Sequence, residues 1–123
     1  MTDIGVFKMA HALIAHASDR QVQVARNVAN ADTPGYRARD LPGFDAALGA
    51  SGALRTTRPQ HIASPAGGEA ALVLRGAEPS PNGNDVSLET EMLAAADIRQ
   101  QYDMALSIYT SGREITKAAL GRR

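Results

Sequence analysis

The chain has no cysteine and no tryptophan, and only two phenylalanines and three tyrosines among 123 residues. Without thiols it can have no disulfide framework, no cysteine-ligated metal and no thiol nucleophile. The same absence leaves it compatible with an oxidising or a reducing compartment. It also lacks an excess of either charge. Thirteen basic residues stand against thirteen acidic ones, which disfavours a general nucleic-acid binder, because such proteins gather basic residues on one face. No apolar run approaches the roughly 20 residues that span a bilayer. The opening MTDIGVFKMAHALIAHASDR has no basic leader, and Lys8, His11 and His16 interrupt its apolar residues. No cleaved signal peptide is therefore expected.

Large apolar side chains are scarce as well. Hydrophobic residues make up 44% of the chain, but 23 residues are alanine. The length suits one domain. Each buried methylene contributes roughly 0.8 kcal/mol, so an alanine-rich interior is thin. Alanine does allow helices to approach closely. The composition points to a chain whose core is completed by neighbours.

Three segments separate: 1–36, an N-terminal helix and turn; 37–86, an irregular middle; and 87–123, a C-terminal helix. In the first, Phe7, Ala10, Ile14, Ala17, Gln21, Val24 and Val28 alternate spacings of three and four. They share one helical face. With no glycine or proline after Gly5, the spacing predicts one helix over 4–30. The middle differs, since residues 41–84 hold five of the six prolines and seven of the eleven glycines. A long helix is not expected there. One strand is expected over Ala70–Leu74, and Asn82-Gly83 is a turn, with Pro79 and Pro81 opposing a hairpin.

The helical pattern returns near 87. Ser87 is placed to cap the helix, Glu89 and Glu91 lie in its first turn, and Gly121 ends it. Five acids and one base fall between 85 and 103, and four bases and one acid between 113 and 123. That order favours the helix dipole. Two apolar series run along this helix: Leu88, Met92, Ala95, Tyr102, Leu106 and Tyr109, and Ala94, Ile98, Ala105, Ile108, Ile115 and Ala119. Together they make a stripe broader than one partner helix covers. An ordinary bundle would need further helices that the middle does not offer, so contacts from more than one subunit are expected. The fold class expected is mainly α. Long terminal amphipathic helices pack as a coiled-coil-like pair around an irregular Pro/Gly-rich middle with one or two short strands.

Candidate chemistry is sparse. His11 and His16 are five positions apart, about 140° around a helix, and cannot readily chelate one metal. His61 has no neighbouring ligand pattern. Asp32, Asp40 and Asp45 read as turn-forming acids. There is no Gly-flanked serine elbow and no phosphate loop. No catalytic residue, metal ligand or cofactor is expected.

The densest local pattern is NVANADTPGYR, residues 27–37. Thr33-Pro34-Gly35-Tyr36 fits a type II turn, with Pro34 at the position that fixes φ and Gly35 at the one that needs positive φ. Pro34 also keeps Thr33 out of helical geometry. Asn30 suits a left-handed helix terminus, and Asp32 can turn the backbone with its side chain. Tyr36 is left to anchor the exit. Arg37, Arg39 and Asp40 form a charged exit, either solvated or against a neighbouring subunit.

These residues also carry a resemblance. Asn27, Val28, Ala29, Asn30, Ala31, Asp32, Thr33, Pro34, Gly35 and Tyr36 resemble the N-terminal motif of bacterial flagellar basal-body rod and hook proteins. Arg55–Ile62 (RTTRPQHI) resembles the Thr-x-x-His-Ile element of the proximal rod group. Asn82–Met92 (NGNDVSLETEM) resembles the entry to its C-terminal helix. Within that group the chain is most similar to the FlgB type. The resemblance implies a non-enzymatic structural subunit that stacks helically into a hollow rod crossing the periplasm. It implies export by the flagellar type III apparatus without a cleaved signal. Partners would be copies of itself, other rod proteins and the basal adaptor protein of the rod. The assembly faces would be Phe7, Ile14, Val24, Val28, Leu88, Met92, Ile98, Tyr102, Leu106, Tyr109 and Ile115. The alternative reading is a soluble helical adaptor or chaperone of a secretion system. A peptidoglycan-cleaving domain has no room in this chain.

Overall fold

The computed structural model describes residues 3–51 and 72–121. Helix α1 spans Asp3–Ala29, strand β1 Arg39–Asp40, helix α2 Phe44–Ser51, strand β2 Val73–Leu74 and helix α3 Leu88–Ala119. The fold is mainly α, and its body is the pairing of α1 with α3. The helices run antiparallel: Phe7 near the start of α1 meets Tyr109 late in α3, and Asn27 near the end of α1 meets Glu91 at the start of α3.

The interior matches the alanine-rich composition. Ala17, Val24, Ala94 and Ile98 form the buried cluster, with Ala95 and Tyr102 packed against it. Ala10 and Ala105 continue the seam. Small side chains let the two helix axes approach, but little apolar area is removed from water. At the far end the Phe7 and Tyr109 rings meet edge to face, 5.3 Å between centroids. Gly112 makes room there: a Cβ at Gly112 would lie 3.1 Å from the Phe7 ring.

The broad stripe of α3 is partly buried. Of one series Ala94, Ile98 and Ala105 are buried against α1 while Ile108 and Ile115 are exposed; of the other Ala95 and Tyr102 pack on the buried cluster while Leu88, Met92, Leu106 and Tyr109 are exposed. On α1, Ala10, Ala17 and Val24 are buried, Phe7 and Ile14 half-buried, and Gln21 and Val28 exposed. One helix covers only part of the stripe, and Leu88, Met92 and Ile115 keep more than half of their surface exposed.

The local signals at the helix ends act as read. Tyr36 N–H donates to Thr33 O at 3.2 Å, and Gly35 has φ 74°, as a type II turn requires. The Ser87 side chain accepts from Thr90 N–H at the start of α3. Gly121, at φ 66°, follows its last turn.

The middle holds more order than its composition predicts. The short helix α2 was not expected. Pro42 and Gly43 precede it rather than interrupt it, Gly43 O accepts Ala47 N–H at 3.1 Å, and Asp45 occupies the first turn, where an acid favours the dipole. Within the strand expected over 70–74, Val73–Leu74 pairs antiparallel with β1, Arg39 opposite Leu74 and Asp40 opposite Val73. Ala70 and Ala71 lie outside the described residues, as do His61 and the Arg55–Ile62 element.

Candidate functional site

The two quoted motifs, far apart in sequence, meet face to face beside the junction of α1 and α3. Gly35 N–H donates to Asn82 O at 2.9 Å. Gly83 sits directly on Gly35: a Cβ at Gly83 would lie 3.3 Å from the Gly35 Cα, and both glycines have positive φ. Asn84, buried, donates its side-chain amide to Asn30 O and Thr33 O, each at 2.8 Å. Its Oδ1 accepts Val86 N–H at 2.8 Å. One asparagine thus ties the turn after α1 to the lead-in of α3.

Asp85 is the next tie. Its carboxylate accepts Ala38 N–H and Arg37 Nε at 2.7 Å, and its side chain is closed to solvent. The Ala38 N–H bond is the main reason this carboxyl is held below the usual carboxylate range; burial opposes it and Arg37 adds to it.

Beneath these loops lies Asn27, with no exposed surface. Its amide donates to Arg39 O at 2.8 Å and to Glu91 Oε1 at 3.2 Å. Its Oδ1 accepts from Gln23 Nε2 and the Tyr36 hydroxyl, both at 3.0 Å, and from Arg39 N–H at 3.3 Å. Only a side chain with two donors and a carbonyl oxygen can serve α1, the turn, β1 and α3 together. Tyr36 therefore does anchor the exit, and Asn27 is what it anchors to. Asn30 closes α1 by donating to Arg26 O at 2.8 Å and accepting from Thr33 Oγ1 at 3.2 Å. Ala29 and Pro34 are exposed.

An ion chain links the same elements. Arg20 of α1 grips Asp40 of β1 with Nε at 3.1 Å and Nη2 at 2.9 Å, a bidentate pair. Arg75, after β2, donates to Asp40 at 3.2 Å and lies 3.4 Å from Glu91 of α3. Burial alone would raise the Asp40 carboxyl. The hydrogen bond and charge of Arg20, the Leu41 N–H and Arg75 outweigh it and hold the carboxyl below its usual range. Within the joint Arg20, Arg37 and Arg75 are set against Asp40, Asp85 and Glu91. Two charges of the exit after the turn, Arg37 and Asp40, are thereby used within the chain rather than left for a neighbour.

The histidines separate. His16 is buried, its Nε2 donates to Pro42 O at 2.8 Å and its ring meets Phe44 edge-on, while His11 is exposed. Among the described residues, no three His, Cys, Asp or Glu side chains are grouped to hold a metal.

Beside the joint, on the face of α1 turned away from His16 and Asn27, runs an open groove of about 760 Å³. Ala17, Val22 and Ala25 of α1 and Ile98, Tyr102 and Leu106 of α3 line it. The remaining residues of the apolar faces fall as follows: Val24 lies in the α1–α3 seam, and Ile115 is exposed.

Comparison with known proteins identifies the family. A flagellar basal body rod protein FlgB of Agrobacterium fabrum is 32% identical over 124 residues, covering 90% of this chain and 89% of that protein. The chain belongs to the FlgB family of flagellar basal body rod proteins. The protein of the same name from Cereibacter sphaeroides is 36% identical over 104 residues, 80% of each chain. That from Escherichia coli is 38% identical over 104 residues, 73% of this chain and 74% of its own. No family model matches the chain. This is a family of rod proteins rather than of enzymes. No described helix is long and apolar enough to cross a membrane.

Asn27 and Tyr36 fall within the N-terminal motif, whereas nothing local in the sequence marks Arg20, Gln23, Arg75, Asn84 or Asp85 for the joint, and Glu91 reads only as a first-turn acid favouring the dipole. One signal was present. Glu91 lies on the same helical face as Ala94 and Ile98, where an acid interrupts an apolar seam and needs partners.

Proposed function

We propose that the chain is a structural subunit of the proximal rod, adding helically to a hollow shaft that crosses the periplasm. The single observation that carries this is the exposed apolar surface of α3. Leu88 is 54% exposed, Met92 74%, Leu93 64% and Ile115 64%. Large apolar side chains left this exposed on more than one side of a thin two-helix pair favour burial against neighbouring subunits. The joint supports the same reading, because it holds the two helices in one register while leaving their outer faces free. Other rod proteins and the basal adaptor protein of the rod are the neighbours proposed. The flagellar export apparatus is the proposed route out of the cell, without signal cleavage.

Deletion of the gene in its host, followed by complementation, tests the reading. The wild-type gene restores motility and complete basal bodies, and the rod-bound protein keeps its N-terminus. A Met92→Asp, Leu106→Asp double variant is made at normal levels but yields no complete rod. Normal rods from that variant, or recovery of the wild-type protein only in the cytosol, would overturn the proposal. The cytosolic outcome would favour an adaptor instead.

A further inference from the structure

We propose that the Asn82–Gly83 peptide is a site of spontaneous backbone modification, and that closure of the joint guards it. Asn82-Gly83 is the only Asn-Gly pair in the chain. The main-chain nitrogen of Gly83 can attack Cγ of the Asn82 side chain, since glycine has no Cβ to obstruct the approach. The N–Cγ bond forms as the Cγ–Nδ2 bond breaks, and ammonia leaves with the proton of that nitrogen. Water then opens the five-membered imide. Attack at Cγ leaves aspartate; attack at the main-chain carbonyl carbon leaves isoaspartate, with the backbone running through the former side chain. One ammonia is lost and one water gained, with no change of oxidation state.

Asn82 is exposed, so exclusion of water does not protect it. Protection comes from occupation of the reacting groups. Gly83 N–H donates to Ser80 O at 2.8 Å, and Asn82 Oδ1 accepts Asn84 N–H at 3.0 Å. The Asn82 main-chain oxygen accepts Gly35 N–H, and Gly83 is held against Gly35 at φ 83°. Ring closure must free that N–H and rotate the Asn82 side chain, so it proceeds from an opened joint, at a rate scaled by the open fraction. The consequence runs the other way too. Isoaspartate at position 82 adds a methylene to the main chain and displaces the oxygen that receives Gly35 N–H. A chain that stays open long enough loses the ability to close.

The test incubates the full wild-type chain in mildly alkaline buffer, with and without concentrated urea, beside an Asn84→Ala variant without urea. Isoaspartate at position 82 is measured by peptide mass spectrometry and isoaspartyl methyltransferase labelling. Modification in urea concentrates at Asn82. It is at least roughly tenfold slower without urea, an opening free energy of about 1.4 kcal/mol or more. Asn84→Ala removes the bonds to Asn30 and Thr33 and moves the rate toward that in urea. Equal wild-type rates with and without urea, or no acceleration in Asn84→Ala, would overturn the guarding. An unmodified Asn82 in urea would overturn the site itself.

Discussion

The Asn27 side chain donates to the Glu91 carboxylate at 3.2 Å across the α1–α3 interface, with both residues shut off from solvent. This contact joins the end of one helix to the start of the other. Asn27→Asp replaces two donors by a second carboxylate facing Glu91. The expected loss is about 3 kcal/mol, the scale for breaking a buried charged pair. Urea unfolding followed by circular dichroism measures it. The double variant Asn27→Asp, Glu91→Gln should recover part of the loss. If it recovers none, the two side chains are not coupled as described.

The glycine pair gives a graded expectation. At Gly35 a Cβ meets open space, whereas at Gly83 it meets the Gly35 backbone at 3.3 Å. Gly35→Ala carries the strain of left-handed backbone alone, roughly 1–2 kcal/mol. Gly83→Ala carries similar strain and adds a tight contact in which the Gly35 main chain must yield. Gly83→Ala is therefore the more damaging, in both unfolding midpoint and rod assembly. Equal effects would mean that the contact between the two turns contributes nothing.

Acid should loosen the joint. Asp40 and Asp85 have carboxyls held below their ordinary value of 3.8. A group lowered on folding stabilises the fold fully above its unfolded value, and the contribution disappears as pH falls through the folded value. Stability from these two groups is constant near neutrality and declines below about pH 4. The pH dependence of the urea midpoint checks this. Asp40→Asn with Asp85→Asn lowers the neutral-pH midpoint and flattens its acid slope. An unchanged slope would show that other carboxyls govern acid unfolding.

Buried and exposed positions of the α3 stripe should respond differently to charge. Ile98 is 3% exposed and Met92 74%. Ile98→Asp puts an unpaired charge in the seam and lowers the helicity of the isolated chain, at the several-kcal/mol scale of such burial. Met92→Asp leaves the isolated chain's circular dichroism unchanged and blocks incorporation into basal bodies. A Met92→Asp chain that assembles normally removes this part of the stripe from the proposed interface.

Much of the framework was legible residue by residue. The spacing from Phe7 to Val28, the Ser87 cap and the Gly121 stop placed both long helices, because each signal acts within one or two turns of backbone. Thr33-Pro34-Gly35-Tyr36 announced its turn for the same reason. Helix α2 was hidden by an average, since the proline and glycine content of the whole middle masked the alanine-rich run after Gly43. Strand β1 was hidden because Arg39-Asp40 has no strand pattern; β2 across from it supplies the order.

The sequence by itself determined two amphipathic helices, the turn between them and a thin, alanine-rich interior, since periodicity and backbone preference are local properties. Only the tertiary structure decided that Asn27, Asp40, Arg75, Asn84, Asp85 and Glu91 form one joint, and which residues of the α3 stripe stay exposed. Hydrogen bonds and ion pairs depend on distances of a few ångströms between groups dozens of residues apart, and no local pattern encodes those distances.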